Sequence, residues 1–163
     1  GLPVYFGKED IKDHSLVLRA SSSLPMFAPM VKYKGREYLD GGLTDPIPVR
    51  RALAQGCDRV IVVLTRERDF IKKAEPGRRV YHRKYRRYPA VPRMLDRRHI
   101  VYNETLSYLR ELEKEERALV IAPAEPLGVG RFEKHVEKLQ TAFETGYKDV
   151  QRLSARLKEF CKG

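Results

Sequence analysis

Asp40, Gly41 and Gly42 stand together in the stretch REYLDGGLTDPIPV, residues 36–49. An aspartate that closes a strand-like run and is followed at once by two glycines has two chemical uses. The plainer one is a turn: glycine reaches positive φ without a steric cost, and a short acidic side chain bonds its own backbone. The other is a site. Ligands in open α/β sheets bind just beyond the ends of the strands. Asp40 is placed there by its neighbours, with a helix and a buried strand expected directly after it. Gly41 and Gly42 would leave the carboxylate open to a substrate and to a second side chain, and let the backbone turn.

Other candidates carry less. His14, His82, His99 and His135 show no helical metal spacing and there is no Cys-x-x-Cys, so a metal site is not expected. His82 and His99 stand among arginines, where nearby positive charge disfavours protonation, and His135 belongs to a helix surface or edge. Asp45 is expected to cap the helix that follows it. The run ELEKEER reads as a solvated helix end with charges paired three or four apart. Cys57 and Cys161 are too few for a disulfide framework. A reducing, cytoplasmic setting follows, with Cys57 a small core residue.

The elements that must position Asp40 are legible in the periodicity. Residues 4–6 read as a short strand and 15–20 as a helical turn. The segment MVKYKGREYLD reads as a hairpin about Lys34-Gly35. Pro46 and Pro48 open a helix through residues 50–55, and Gly56 stops it. The run RVIVVL, 59–64, suits a strand of a parallel sheet buried on both faces, and ALVIAP a second. A helix is expected over about 99–116, with Ile100, Leu106, Leu109 and Leu112 to one side. Phe132, Val136, Leu139, Phe143, Tyr147, Val150, Leu153 and Leu157 then mark a long C-terminal helix packed against the core. Gly146 within it signals close packing or a kink. Strands alternating with helices make the fold α/β.

The 163 residues are 42% hydrophobic and 34% charged, enough apolar content for a packed domain and too much for a disordered chain. No apolar run approaches the roughly 18 residues of a membrane span. The opening GLPVYFGKED has no signal-peptide pattern; it begins without methionine inside a strand-like run, which suggests a fragment. Of the net charge of +11, residues 66–98 hold +9, from 13 Lys/Arg against 4 Asp/Glu. Such a local excess calls for an acidic partner. With Pro76, Gly77, Pro89 and Pro92, the segment is expected to be an irregular excursion with little helix. Tyr81, Tyr85 and Tyr88 lie among its arginines. A solubilising loop is one reading, and a surface facing anionic membrane, with tyrosine at the interface, is another. Single-stranded nucleic acid is disfavoured, since no known nucleic-acid module is present.

The ordered segments of RASSSLPMFAPMVKYKGREYLDGGLTDPIPVRRALAQGCDRVIVVLTR, residues 19–66, resemble the second half of patatin-like phospholipases. The resemblance lies in the Ala-Ser loop, the proline-bounded hairpin, the Asp-Gly-Gly motif and the Pro-Val helix and strand. RRHIVYNETLSYL, LVIAPAEPLGVGR and FETGYKDV are similar to the tail of the bacterial cytoplasmic branch. The resemblance implies the C-terminal portion of a three-layer α/β/α fold. It equates Asp40 with the aspartate of the family's Ser-Asp dyad, a general base toward carboxylic esters of lipids. The family's glycine-rich oxyanion loop and its Gly-x-Ser-x-Gly nucleophile elbow are not in these residues. Ser21, Ser22 and Ser23 cluster, but without the flanking glycines that a strained elbow needs.

The resulting expectation has three parts: 1–65 as the C-terminal part of a catalytic core with Asp40, 66–98 as the basic excursion, and 99–163 as a helix-strand-helix completing the domain. The nucleophile would come from a missing N-terminal half, so this chain alone would be inactive. The contrasting reading is a non-catalytic α/β module that binds an acidic surface, with Asp40 only a turn residue. The protein would be cytoplasmic, in either case with peripheral membrane contact open to it.

Overall fold

The computed structural model describes residues 1–12 and 15–162. The chain is mixed α/β and divides into two compact units, Gly1–Pro48 with Lys72–Leu106, and Val49–Ile71 with the chain from Ser107 onward.

The first unit opens with an extended segment and a 3-10 turn, Lys8–Lys12. Residues 4–6 are not a strand: no partner strand pairs with them among the described residues, and Phe6 instead packs edge-on against Tyr33 and Tyr38 at centroid distances of 5.6 and 5.3 Å. Helix α1, Leu16–Ser21, buries Val17 and Ala20. Strands β1, Val31–Tyr33, and β2, Arg36–Tyr38, form the expected antiparallel hairpin, with Val31 opposite Tyr38. Its two-residue turn is Lys34-Gly35, both at positive φ (46° and 74°). That is the primed turn that matches strand twist. Asp10 secures it, accepting from Lys34 Nζ at 2.7 Å and Tyr33 Oη at 3.1 Å.

The basic segment is about half helical, where an irregular excursion with little helix was expected. Helix α3 spans Arg78–Lys84 and α4 spans Ala90–Lys114. Pro89 just precedes α4 and Pro92 is its third residue, inside the first turn, where the missing N–H would have no intrahelical partner anyway. The helix therefore starts well before residue 99. Nor does the segment stand outside the core. Tyr81, Tyr85 and Leu95 are buried with Leu43, and Met26, Met30, Leu39, Val91 and Met94 pack around them.

In the second unit, α2 spans Val49–Ala54 and ends at Gly56, whose φ of 95° suits the residue after a helix. Cys57 beside it is exposed and is not a core residue. Strands β3, Val60–Val63, and β4, Ala118–Ile121, are parallel and in register from Val60 with Ala118 to Val63 with Ile121. β4 is wholly buried. β3 is not: Ile61 and Val63 are exposed, so its apolar run is covered on one face only. A β-branched run reports strand propensity but not whether a second layer lies over it.

The second part of α4 buries Leu109 and Leu112, and Leu106 is buried in the first unit, whereas Ile100 is exposed. Arg68, after β3, grips Glu113 with two nitrogens at 2.8 and 3.0 Å and also reaches Val120 O. Val120 N–H donates to the same carboxylate at 3.2 Å. Glu113 thus ties loop, helix and strand together, while Glu111 pairs with Lys114 at the solvated side of the helix end as expected.

Helices α5, Val136–Arg152, and α6, Ser154–Phe160, complete the unit. The break falls at Leu153, not at Gly146, beside which there is open space and no close packing. The expected core stripe faces outward: Val136, Leu139, Phe143, Tyr147 and Val150 are all exposed and α5 buries no residue.

Candidate functional site

Asp40 is fixed by its backbone before its side chain acts. Two residues beyond β2, its N–H donates to Ser23 O at 2.9 Å. Its Oδ1 accepts from Gly42 N–H at 2.7 Å and caps a 3-10 turn, Gly41–Leu43. Leu43 N–H returns to Asp40 O at 3.2 Å, and the Leu43 side chain anchors the turn in the cluster made by Tyr81, Tyr85 and Leu95.

The two glycines are not equivalent. Gly41 is exposed and has open space where a Cβ would lie. At Gly42 a Cβ would come within 2.9 Å of Asp40 Oδ1. A side chain there would push on the carboxylate itself.

Arg98 holds the far side of the turn. Its Nε donates to Gly42 O at 2.8 Å and its Nη1 to Glu75 at 2.9 Å. Glu75 also pairs with Lys72 at 3.4 Å. In the sequence Arg98 is one of many cations. The signal that separates it is its spacing, three residues after Leu95, which places both on one helix face. Ser23 O, Tyr81 and Tyr85 escaped the sequence reading for the same reason: their roles rest on contacts with residues far along the chain.

Asp40 lies on the wall of a cavity of about 690 Å³. Val4, Leu18, Met30 and Met94 give it an apolar lining, and Arg87, Tyr88 and Arg93 contribute polar groups. Ser21 lines it as well. Ser22 Oγ donates to Leu18 O at 3.0 Å and Ser23 Oγ to Arg19 O at 2.7 Å, so both hydroxyls are engaged by their own helix. Asp45 is four residues ahead of α2, too far to cap it, and accepts instead from Tyr5 Oη.

The histidines are not gathered at this cavity. His82 Nε2 lies 2.9 Å from Asp96 Oδ2, so a carboxylate faces the ring that was expected to see only arginines. Asp96 also accepts from Arg78 at 3.0 and 3.1 Å and from Tyr81 Oη at 2.6 Å. The Arg78 guanidinium, then the Tyr81 hydroxyl, hold its carboxyl well below the usual range. Burial, then the hydrogen bond to Asp96, push the Tyr81 phenol up to about 12. His99 Nδ1 is buried without a hydrogen-bond partner among the described residues. His135 is exposed and pairs with Glu133 at 2.5 Å, just ahead of α5. His14 lies outside the described residues. Among the described residues no group of three His, Cys, Asp or Glu is placed to hold a metal, and no helix is long and apolar enough to cross a membrane.

Residues 6–53 match the patatin-like phospholipase family, a span that contains Asp40 and both glycines. Residues 88–162 match a domain of unknown function, DUF6363. The chain is similar to "Uncharacterized protein YjjU" of Escherichia coli (strain K12), 46% identical over 50 residues. That similarity covers 30% of this chain and only 14% of the relative's length.

Proposed function

We propose that this chain supplies the general base, Asp40, of a patatin-like serine acyl hydrolase acting on carboxylic esters of lipids. The observation that carries the reading is the family match over 6–53, with Asp40, inside the matched span, on the wall of an apolar cavity. No Gly-x-Ser-x-Gly occurs in these residues. The serine and the oxyanion donors would therefore be contributed by other residues of the protein.

A serine hydroxyl is too weakly acidic to attack an ester unaided. With Asp40 Oδ1 held by Gly42 N–H, Oδ2 is the atom that would take the proton as serine Oγ bonds to the carbonyl carbon. The proton then passes to the departing alkoxide as the ester C–O bond breaks, leaving an acyl-serine. Water attacks that ester with Asp40 again as base, which releases the carboxylic acid and restores the serine. The apolar cavity would receive the acyl chain.

The contrary reading, Asp40 as a turn residue in a binding module, draws on its bond to Gly42 N–H. One substitution separates the two. In Asp40→Asn the amide oxygen can still accept from Gly42, so the turn survives while the base is gone. In the whole protein, hydrolysis of p-nitrophenyl esters by Asp40→Asn should fall by about 10²–10⁴. A folded variant within about threefold of wild type would return Asp40 to the turn role. The 163-residue chain alone should not turn over these esters. Hydrolysis by it that is abolished by replacing one of Ser21, Ser22 or Ser23 would place the nucleophile here instead.

A further inference from the structure

We infer that the outward face of α3 and the turn after it form a docking surface for an anionic lipid bilayer. The helix sorts its cations into two groups. Arg78 leans on Asp96 and is neutralised there, and the His82 ring, one turn on, faces the same carboxylate. Tyr81 points inward, and Tyr85, which follows α3, is also buried. What remains outside is Arg79, Arg83, Lys84 and Arg86, which border one shallow basin with Val80 among them. Val80 is itself exposed. Among the described residues no carboxylate pairs with Arg79, Arg83 or Arg86. A face whose arginines meet no carboxylate, around an exposed aliphatic residue, complements a plane of phosphate and carboxylate headgroups over hydrocarbon.

The neighbouring geometry favours lipid over nucleic acid. Binding of single strands leans on aromatic platforms for the bases. Here Tyr81 and Tyr85 are buried and Tyr88 Oη is tied to Glu37 at 2.7 Å. The chain leaving the basic face runs through Arg87, Tyr88 and Arg93, which are part of the wall of the apolar cavity holding Asp40. Cationic surface and apolar cavity are thus parts of the same unit. On the acyl-hydrolase reading, on which the purpose of this surface rests, docking would bring ester-linked chains to the cavity.

The test is retention of the whole protein by sedimenting vesicles, phosphatidylcholine alone against phosphatidylcholine mixed with phosphatidylserine. Retention should require the anionic lipid. It should be lost between 0.1 and 1 M salt, as the Debye length falls from about 10 to about 3 Å. Replacing Arg79, Arg83 and Arg86 by glutamine should weaken it about 100-fold, at roughly fivefold per cation. The triple lysine variant keeps the charge and should bind nearly as wild type, which separates loss of charge from loss of fold. Wild-type retention of the glutamine variant would overturn the assignment. So would absence of retention on anionic vesicles, or equal retention by a single-stranded oligonucleotide. The glutamine variant should still hydrolyse a monomeric short-chain ester, and Asp40→Asn should still bind vesicles. Binding and hydrolysis therefore fail separately, and each result addresses only its own claim.

Discussion

Helices α3 and α5 carry the same kind of pattern and use it in opposite ways. Each interleaves aromatic or aliphatic residues with charges at helical spacing. In α3 Tyr81 turns inward and the cations are left outside; Tyr81 is 4% exposed. In α5 the apolar stripe faces outward, and Phe143 is 69% exposed. Periodicity identifies which residues of a helix share a face. It does not say whether that face meets anything. For α3 the partners come from residues distant in sequence: Leu43 from the Asp-Gly-Gly turn and Asp96 from α4. For α5 none of the described residues buries the stripe.

The largest test of this contrast is a pair of truncations. Tyr81→Ala removes a buried ring and a hydrogen bond to Asp96, and by analogy with other buried aromatics should cost about 3–5 kcal/mol. Phe143→Ala removes an exposed ring and should stay within about 0.5 kcal/mol. Urea denaturation of both variants reads the difference. A cost for Phe143→Ala approaching that of Tyr81→Ala would mean that the α5 stripe is covered in solution, and the contrast with α3 would dissolve.

What the sequence made legible follows the same division. The hairpin, its Lys34-Gly35 turn, α2 with its Gly56 stop, and the two apolar strands each rest on local chemistry, and they are present. Local chemistry also located the Asp-Gly-Gly turn. The prolines of the basic segment look like breakers in their local sequence, although Pro92 occupies a first helical turn. Burial of Tyr81 and Tyr85, the exposed face of β3 and the grip of Arg98 on Gly42 depend on distant residues. No window of sequence contains both partners.

A smaller effect sharpens how the inward face of α3 serves Asp40. The turn rests on the Tyr81 and Tyr85 cluster through Leu43, so it has little freedom to shift as a body. Gly42→Ala must therefore displace Asp40 Oδ1, 2.9 Å from the new Cβ, and weaken the bond from Gly42 N–H. A cost of about 1 kcal/mol in stability is expected, the scale of a lost cap. Gly41→Ala meets open space and should be nearly neutral. On the acyl-hydrolase reading, the Gly42 variant of the whole protein should also lose ester hydrolysis while the Gly41 variant keeps it. Equal behaviour of the two would mean that the turn is looser than its packing implies.

The smallest expected effect compares two carboxylates, one beside each helix. Asp96 faces α3 and is held low chiefly by Arg78, then Tyr81. Glu133 precedes α5 and is lowered to about 2, first by the His135 backbone N–H and then by the His135 ring. Both groups have folded pKa values below their unfolded ones. Each therefore contributes stability that is complete above the unfolded value and is lost as pH falls through the folded one. For Glu133 the window runs from about 4.5 down to about 2. The Asp96 window begins below 3.8 and extends further into acid, because a guanidinium and a buried phenol both favour its ionised form. Denaturation midpoints of wild type, Glu133→Gln and Asp96→Asn, measured from neutral pH downward, should separate the two. The Glu133 difference should be almost gone near pH 2, where wild type is about half protonated at that site. The Asp96 difference should persist there. If both differences closed at the same pH, the Arg78, Tyr81 and His82 cluster would hold its carboxylate no more firmly than the exposed His135 holds Glu133. The inward face of α3 would then be fastened by packing alone.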